Sequence, residues 1–153
     1  MQPRIDYTAA APGAYAAMRA LETYLHQSGL DAGLLELVKT RVSQINGCAF
    51  CIDMHTQMAR VAGETEQRLY ALSAWHETPF FTERERAALT WAEAVTRVAE
   101  GSIPDDMYET VRGQFGDKGL ADLTLAIVAI NGWNRLAIAF ATPPGSYRRA
   151  RSE

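Results

Sequence analysis

Residues 36–55 of this chain read ELVKTRVSQINGCAFCIDMH and contain its two cysteines, Cys48 and Cys51. The cysteines have a C-x-x-C spacing. Glu36 precedes the first by twelve residues, and His55 follows the second by four. A thiolate is a nucleophile, and a neighbouring imidazole or carboxylate can carry its proton. The stretch is therefore a candidate thiol redox site.

The same region predicts two consecutive helices. Asp31 is a candidate N-cap, and apolar side chains recur every three to four positions over residues 34–45, as in an amphipathic helix. The pair Asn46-Gly47 ends this helix, because glycine readily adopts the left-handed conformation of a helix stop. If residues 48–62 are helical, the two cysteines and the histidine lie at i, i+3 and i+7 of one face.

Helix signals dominate the rest of the chain as well. Thr82 and Glu85 form a capping-box pattern, and no alternating strand pattern is longer than four residues. We predict an all-α single domain over residues 1–153, with about seven helices. The predicted helices cover residues 12–29, 31–47, 48–62, 65–72, 82–101, 104–116 and 119–141.

The last predicted helix, residues 119–141, is apolar on nearly all sides. A helix of this kind is expected to be buried, either in a core or in a subunit interface. A chain of 153 residues can surround only one or two helices completely. We therefore predict a closed homo-oligomer.

Composition excludes several classes of function. The net charge of −3 leaves no broad basic face for nucleic acid, and Arg148, Arg149 and Arg151 form only a short basic tail. No apolar run reaches the ~18 residues of a membrane span, and the first residues lack the pattern of a signal peptide. We expect a cytoplasmic protein without a membrane or nucleic-acid partner. In a reducing compartment, a lone C-x-x-C indicates redox or metal chemistry.

Zinc is the main chemical alternative. Cys48, Cys51, His55 and Glu36 could supply two sulfurs, a nitrogen and an oxygen. Structural zinc sites usually take their ligands as two pairs from separate turns, whereas three of these candidates share one helical face. We predict neither a metal nor another cofactor.

Helix geometry suggests which thiol is activated. Unpaired amides and the helix dipole lower the pKa of a thiol at a helix N-terminus. We predict a depressed pKa for Cys51, with His55 one turn further on to accept its proton. Glu36 on the preceding helix could orient that histidine. Lys39 and Asp53 are most simply surface charges.

The spacing Glu-x11-Cys-x2-Cys-x3-His resembles the active-site signature of AhpD-like alkylhydroperoxidases, within the carboxymuconolactone decarboxylase superfamily. Residues 37–47, 75–94 and 130–135 also resemble that family, so the similarity covers most of residues 10–142, with a core of about 12–142. The resemblance implies that Cys51 is the peroxidatic thiol and Cys48 the resolving thiol, with Glu36 and His55 as a proton relay.

The resemblance also implies a hydroperoxide substrate, a thiol or lipoyl-type reductant, and a trimeric or hexameric assembly. One position departs from AhpD proper: Phe50 stands where a second histidine precedes the peroxidatic cysteine. Trp133 and Asn134 interrupt the last apolar helix and, with Phe50, are candidates for lining a substrate pocket. They could equally make ordinary helix contacts.

Three functions follow from the sequence. The first is a thiol-dependent peroxidase that passes through a Cys51 sulfenic acid and a Cys48–Cys51 disulfide. The second is a thiol–disulfide oxidoreductase or redox sensor without efficient peroxidase turnover, which Phe50 favours. The third is a non-redox enzyme of the carboxymuconolactone decarboxylase type. The cysteine pair argues against it, because that chemistry does not depend on a C-x-x-C.

Overall fold

The computed structural model describes residues 2–147, and within them every regular element is helical. The all-α prediction is confirmed, whereas the basic tail predicted at 148–151 lies outside the described residues. Two short 3-10 helices span Leu72–Glu77 and Val98–Glu100. The α-helices are α1 (Tyr7–Ala10), α2 (Pro12–Gln27), α3 (Ala32–Asn46), α4 (Ala49–Val61), α5 (Glu66–Ala71), α6 (Glu83–Thr96) and α7 (Asp105–Ala139).

Local capping fixes the ends of α3 as predicted. The Asp31 side chain accepts a hydrogen bond from the amide of Leu34 at 2.8 Å, which satisfies an amide at the start of the helix. Gly47 adopts φ 68° and ψ 30°, and its amide donates to the last turn of α3. An L-residue with a side chain is disfavoured in that conformation, so glycine allows the chain to leave α3 and enter α4 at once.

The capping box of α6 is also confirmed. The amide of Glu85 donates to the Thr82 hydroxyl at 3.3 Å, and the Glu85 carboxylate accepts from the amide of Thr82 at 2.7 Å. The short α1 was not predicted. Asp6 caps it by accepting hydrogen bonds from the amides of Thr8 and Ala9.

α7 is broken at Gly116, whose φ of 66° and ψ of 174° are not helical. The break matches the predicted end of one helix near residue 116. The predicted gap before residue 119 is wrong, because helical structure resumes directly after Gly116.

α3 is the central element, and it packs against α4, α6 and α7. α3 buries charged side chains as well as apolar ones. Lys39 is only 2% exposed and its ammonium pairs with Glu22 of α2 at 2.6 Å. The prediction that Lys39 is a surface charge is therefore wrong.

The second half of α7 is buried on one side only. Leu123, Ile127 and Ile130 are fully buried, whereas Leu125, Val128 and Ile138 are 39%, 52% and 49% exposed. A single chain therefore does not bury this half of α7 on all sides. The homo-oligomer that would cover this apolar stripe stays a prediction. No helix within residues 2–147 combines the length and apolar character needed to cross a bilayer.

Candidate thiol redox site

The cysteine pair lies at the corner between α3 and α4. Cys48 is the N-cap residue of α4, and its own amide donates to the carbonyl of Ser43 at 3.0 Å. Cys51 lies in the first turn of the helix. Side chains at an N-cap accept hydrogen bonds from the free amides of that turn. Cys48 occupies the position that Ser, Thr or Asp occupies in most helices, but its sulfur makes no capping hydrogen bond.

Both thiols are free and buried. Cys48 and Cys51 are each 1% exposed and belong to the largest apolar cluster of the chain. Val42 of α3 and Ile130 of α7 lie in the same cluster. An anion in such surroundings needs specific hydrogen bonds, because burial alone disfavours the charged form.

The polar groups that favour an anion act mainly on Cys48. The thiol of Cys51, the amides of Cys51 and Phe50, and the side chain of Asn134 lower the pKa of Cys48 to about 7, against the effect of burial. The pKa of Cys51 is raised, chiefly by its hydrogen bond to Cys48, and also by burial and by the negative charge on that sulfur. We predicted the depressed pKa for Cys51, whereas in this structure the surrounding groups lower the pKa of Cys48. The peroxidatic role of Cys51 stays a prediction.

The two cysteines differ in their place at the start of α4. The sequence places both cysteines near a helix N-terminus, and the dipole argument does not distinguish them. The structure distinguishes them because one residue is the N-cap and the other is not. The amides of the first turn lower the pKa of Cys48 and not that of Cys51. The two thiols are also neighbours, so the charge on one suppresses ionisation of the other.

Glu36 and His55 form a buried pair next to the cysteines. His55 Nδ1 lies 2.8 Å from Glu36 Oε2, and the two residues are 4% and 5% exposed. α3 and α4 pack against each other, which brings together residues nineteen positions apart. An ionised Glu36 accepts the Nδ1 proton and so leaves Nε2 of His55 as the nitrogen that can exchange protons. His55 itself lies one helical turn after Cys51.

Asn134 of α7 also lies beside the thiols. It is fully buried, and its amide lowers the pKa of both Cys48 and Cys51. Asn134 Nδ2 donates to the hydroxyl of Ser43 at 3.0 Å. Its Oδ1 accepts from Asn46 Nδ2 at 2.8 Å.

The other two residues predicted to line a pocket are half-buried. Phe50 and Trp133 both pack against the cluster that contains the cysteines. The indole of Trp133 donates to Glu22 at 3.0 Å and meets the ring of Tyr15 edge-on, with the centroids 5.9 Å apart. Two surface cavities, of about 440 and 180 Å³, are lined by none of the predicted site residues.

Sequence reasoning missed Tyr7. Its ring stacks on Phe140 at 5.5 Å, and its pKa is raised by burial and by negative charge on Tyr15, Cys51, Asp6 and Cys48. The N-terminal segment that carries Tyr7 therefore lies close to the thiols. Arg4 holds that segment in place with two hydrogen bonds of 2.9 Å to the carbonyls of Ala139 and Phe140. The Asp6 cap was the only local signal for this segment.

Within residues 2–147, no cluster of three or more His, Cys, Asp or Glu side chains is arranged to hold a metal ion. The arrangement supplies two buried free thiols at the start of one helix and a carboxylate–imidazole pair.

Residues 11–94 match the Carboxymuconolactone decarboxylase family, and these residues include the cysteine corner. The chain belongs to this family. It is 46% identical to the uncharacterized protein YdfG of Bacillus subtilis over 139 residues, which are 91% of this chain and 95% of YdfG.

Two solved structures have the same fold. One is a protein of unknown function from Agrobacterium tumefaciens, described as a candidate antioxidant defence protein AhpD. It is 46% identical, with a TM-score of 0.91 over 95% of this chain and 100% of that one. The other is an uncharacterized peroxidase-related protein from Silicibacter, 25% identical, with a TM-score of 0.75 over 86% of this chain and 70% of that one. The predicted all-α AhpD-like fold is confirmed, and the names of the family and of these neighbours refer to enzymes.

Proposed function

We propose that this protein is a thiol-dependent peroxidase that reduces a small hydroperoxide with its cysteine pair. The main support is a buried C-x-x-C in which the pKa of one thiol is lowered to about 7 beside the Glu36–His55 pair. The AhpD description of the Agrobacterium neighbour and the peroxidase-related name of the Silicibacter neighbour agree with this chemistry.

In the first step, Cys51 attacks the hydroperoxide. The resting charge lies on Cys48, and Cys51 donates its hydrogen bond to that thiolate. When substrate arrives, this proton moves to Cys48 and leaves a thiolate on Cys51. The Cys51 sulfur then forms a bond to the terminal peroxide oxygen as the O–O bond breaks. The departing alkoxide takes the proton back from Cys48, which gives an alcohol and a Cys51 sulfenic acid.

In the second step, Cys48 resolves this intermediate. Its regenerated thiolate attacks the Cys51 sulfur and forms the Cys48–Cys51 disulfide. The sulfenic oxygen leaves as hydroxide. Nε2 of His55, held in place by Glu36, takes up the proton that Cys48 releases on ionising and now gives it to the hydroxide to form water. The peroxide has then gained two electrons and the thiol pair has lost two. A dithiol reductant, free or lipoyl-type, returns two electrons and two protons, as a reducing cytoplasm would allow.

Mass spectrometry of the whole chain after one equivalent of an alkyl hydroperoxide tests this function. We expect a loss of two hydrogens in the parent protein and addition of one oxygen at Cys51 in the Cys48→Ser variant. The matched control is a small disulfide in place of the peroxide. If the disulfide oxidises the pair much faster than the peroxide does, the protein is a thiol–disulfide oxidoreductase and the peroxidase proposal fails.

We also propose that the enzyme is a homo-oligomer, a trimer or hexamer. The support is the exposed stripe of Leu125, Val128 and Ile138 on α7, which a second copy would cover. Light scattering at micromolar concentration should give about three or six times the 16.9 kDa chain mass. Val128→Asp should lower that mass, and Glu83→Lys on the exposed start of α6 should not. A parent mass near 16.9 kDa would exclude the assembly.

A further inference from the structure

The chain contains three asparagines, and all three lie in one hydrogen-bond network next to the cysteines. Asn46 Nδ2 donates to Asn131 Oδ1 at 2.9 Å and to Asn134 Oδ1 at 2.8 Å. The network joins the last residue of α3, two positions before Cys48, to the C-terminal part of α7. An asparagine amide has a donor end and an acceptor end, so each one can be assigned in two orientations.

The far end of this network fixes the orientation of Asn131. Its Nδ2 donates to the carbonyl of Ile127 at 3.0 Å, and a carbonyl can only accept. Its Oδ1 accepts from the guanidinium of Arg135 at 2.9 Å, and a guanidinium can only donate. Asn131 must therefore present oxygen to Asn46, and Asn46 must present nitrogen in return. Both hydrogens of Asn46 Nδ2 are then used, one on Asn131 and one on Asn134.

Ser43, at the end of the network nearest the cysteines, independently fixes the orientation of Asn134. The hydroxyl of Ser43 donates to the carbonyl of Lys39 at 2.8 Å, and this uses its only hydrogen. Ser43 must therefore accept from Asn134, so nitrogen has to face it. Both ends of the network require Asn134 to hold Oδ1 toward Asn46 and Nδ2 toward Ser43. One hydrogen of Nδ2 remains, and Asn134 is fully buried, so water cannot take it.

We infer that these residues form an amide chain (Asn46, Asn131 and Asn134) of fixed orientation, which presents the remaining N–H of Asn134 to the sulfur pair. The two partners of Asn134 hold it beside the start of α4. The carbonyl of Ser43 accepts from the amide of Cys48, and Asn46 precedes Cys48 by two residues. Asn134 is a catalytic residue that stabilises negative charge on sulfur, and on the sulfenic oxygen during peroxide reduction. Asn46 and Asn131 are positioning residues.

This role differs from ordinary core packing in one measurable way. An amide that donates to a thiolate stabilises the charged form, so reversing it changes ionisation without removing any atoms from the core. The inference rests on the proposed thiol chemistry, but it does not require that peroxide is the substrate.

The test uses the Cys51→Ser background, in which Cys48 is the only thiol and the serine hydroxyl can still donate to it. The rate of alkylation by iodoacetamide is measured against pH for the full chain. Asn46→Asp introduces a carboxylate that cannot donate to Asn134, so the Asn134 amide should turn over and present oxygen to the sulfur. We expect alkylation at pH 6 to slow about tenfold, as a thiol pKa higher by one unit implies.

Two control variants separate orientation from charge and packing. Asn131→Asp adds the same charge but still accepts from Asn46 and Arg135, so the orientation is kept. Its alkylation should slow by less than about threefold, because the guanidinium offsets the new charge. Ser43→Ala removes a partner of Asn134 without reversing the Asn134 amide. The alkylation rate of this variant should stay near that of the Cys51→Ser background. Equal slowing by Asn46→Asp and Asn131→Asp, or slowing by Ser43→Ala as large as by Asn46→Asp, would overturn the inference.

Nuclear magnetic resonance of the parent protein gives a second readout that does not depend on the folding of Asn46→Asp. The side-chain amide protons of Asn134 are assigned by their loss in Asn134→Asp. One of them should shift between pH 6 and 8 with the midpoint of the thiol. If neither shifts while the thiol titrates, the amide does not face the sulfur. Neither experiment uses peroxide, so a protein that passes both but reduces no peroxide would contradict the proposed function alone.

Discussion

The cysteine pair has two polar neighbours of different kinds. The acid–base pair, Glu36 and His55, consists of groups that gain and lose protons. The amide chain consists of groups that never titrate but keep the same donor directed at the site at every pH. The first can move protons between steps of a reaction, whereas the second can only hold charge where it forms. Thiol chemistry needs both functions, and this fold assigns them to separate sets of side chains.

The largest effect should come from the cysteines themselves. We expect Cys48→Ser and Cys51→Ser each to abolish turnover, because either change prevents the disulfide. The two variants should differ in alkylation at pH 7, and Cys51→Ser should react faster, because Cys48 bears the lowered pKa. If Cys48→Ser is alkylated faster, the resting thiolate is on Cys51 and the proposed order of proton transfers is reversed.

Glu36→Gln should best distinguish the role of the acid–base pair from that of the amide chain. Loss of the carboxylate should slow peroxide reduction by about 10²–10⁴-fold, the usual size of a proton-transfer contribution. The alkylation midpoint of Cys48 should hardly move, since neither Glu36 nor His55 is among the causes of its lowered pKa. Asn134→Asp should shift that midpoint. If Glu36→Gln moves the midpoint as far as Asn134→Asp does, the division of roles is wrong.

A smaller effect concerns access to the buried sulfurs. Arg4→Ala removes the side-chain hydrogen bond that ties the N-terminal segment to the end of α7. A single hydrogen bond contributes about 0.5–1.5 kcal/mol, so the segment should open about 2–10 times more often. Alkylation of both thiols should accelerate by that factor without a change in midpoint. Arg19→Ala on the exposed face of α2 is the matched control and should leave the rate unchanged.

The lowered pKa of Cys48 should also make stability depend on pH. The pKa of Cys48 is about 7 in the folded chain and ordinarily 9.0, so its ionisation favours the folded state. The stabilisation is complete above pH 9.0, declines as the pH falls toward 7, and is absent below it. Chemical unfolding of Cys51→Ser should show this rise between pH 7 and 9.0, relative to the variant in which both cysteines are serine. Parallel curves would mean that no thiolate is stabilised.

Much of this site could be predicted from sequence because its signals are local. Spacing placed the cysteines and His55 on one helical face, and Asn46-Gly47 placed the corner between α3 and α4. The pairing of Glu36 with His55 followed from two helices that fold back on each other. The N-cap asymmetry between Cys48 and Cys51 did not follow, because one residue of helix boundary decides it and boundaries are the least certain part of a prediction.

Long-range contacts explain the remaining differences. The burial of Lys39 depends on Glu22 of α2, and no periodicity in α3 indicates that partner. The position of Tyr7 depends on Phe140 at the other end of the chain. The sequence marked Asn134 as a polar interruption of an apolar helix and as a candidate for lining a substrate pocket. Its orientation requires Asn46, which is 88 residues away in sequence.

The contact of Trp133 with the cysteine-containing cluster gives the protein an intrinsic optical signal. Its indole is fixed by Glu22 and by the ring of Tyr15, so its emission should be that of an ordered fluorophore. Disulfides quench nearby indoles more strongly than most protein groups do. Oxidation of the pair should therefore dim the emission, and a dithiol should restore it. Trp133→Phe should reduce that change, and Trp91, buried in the same cluster, should account for the remainder. Trp75→Phe, in a separate apolar cluster, should leave the change in place.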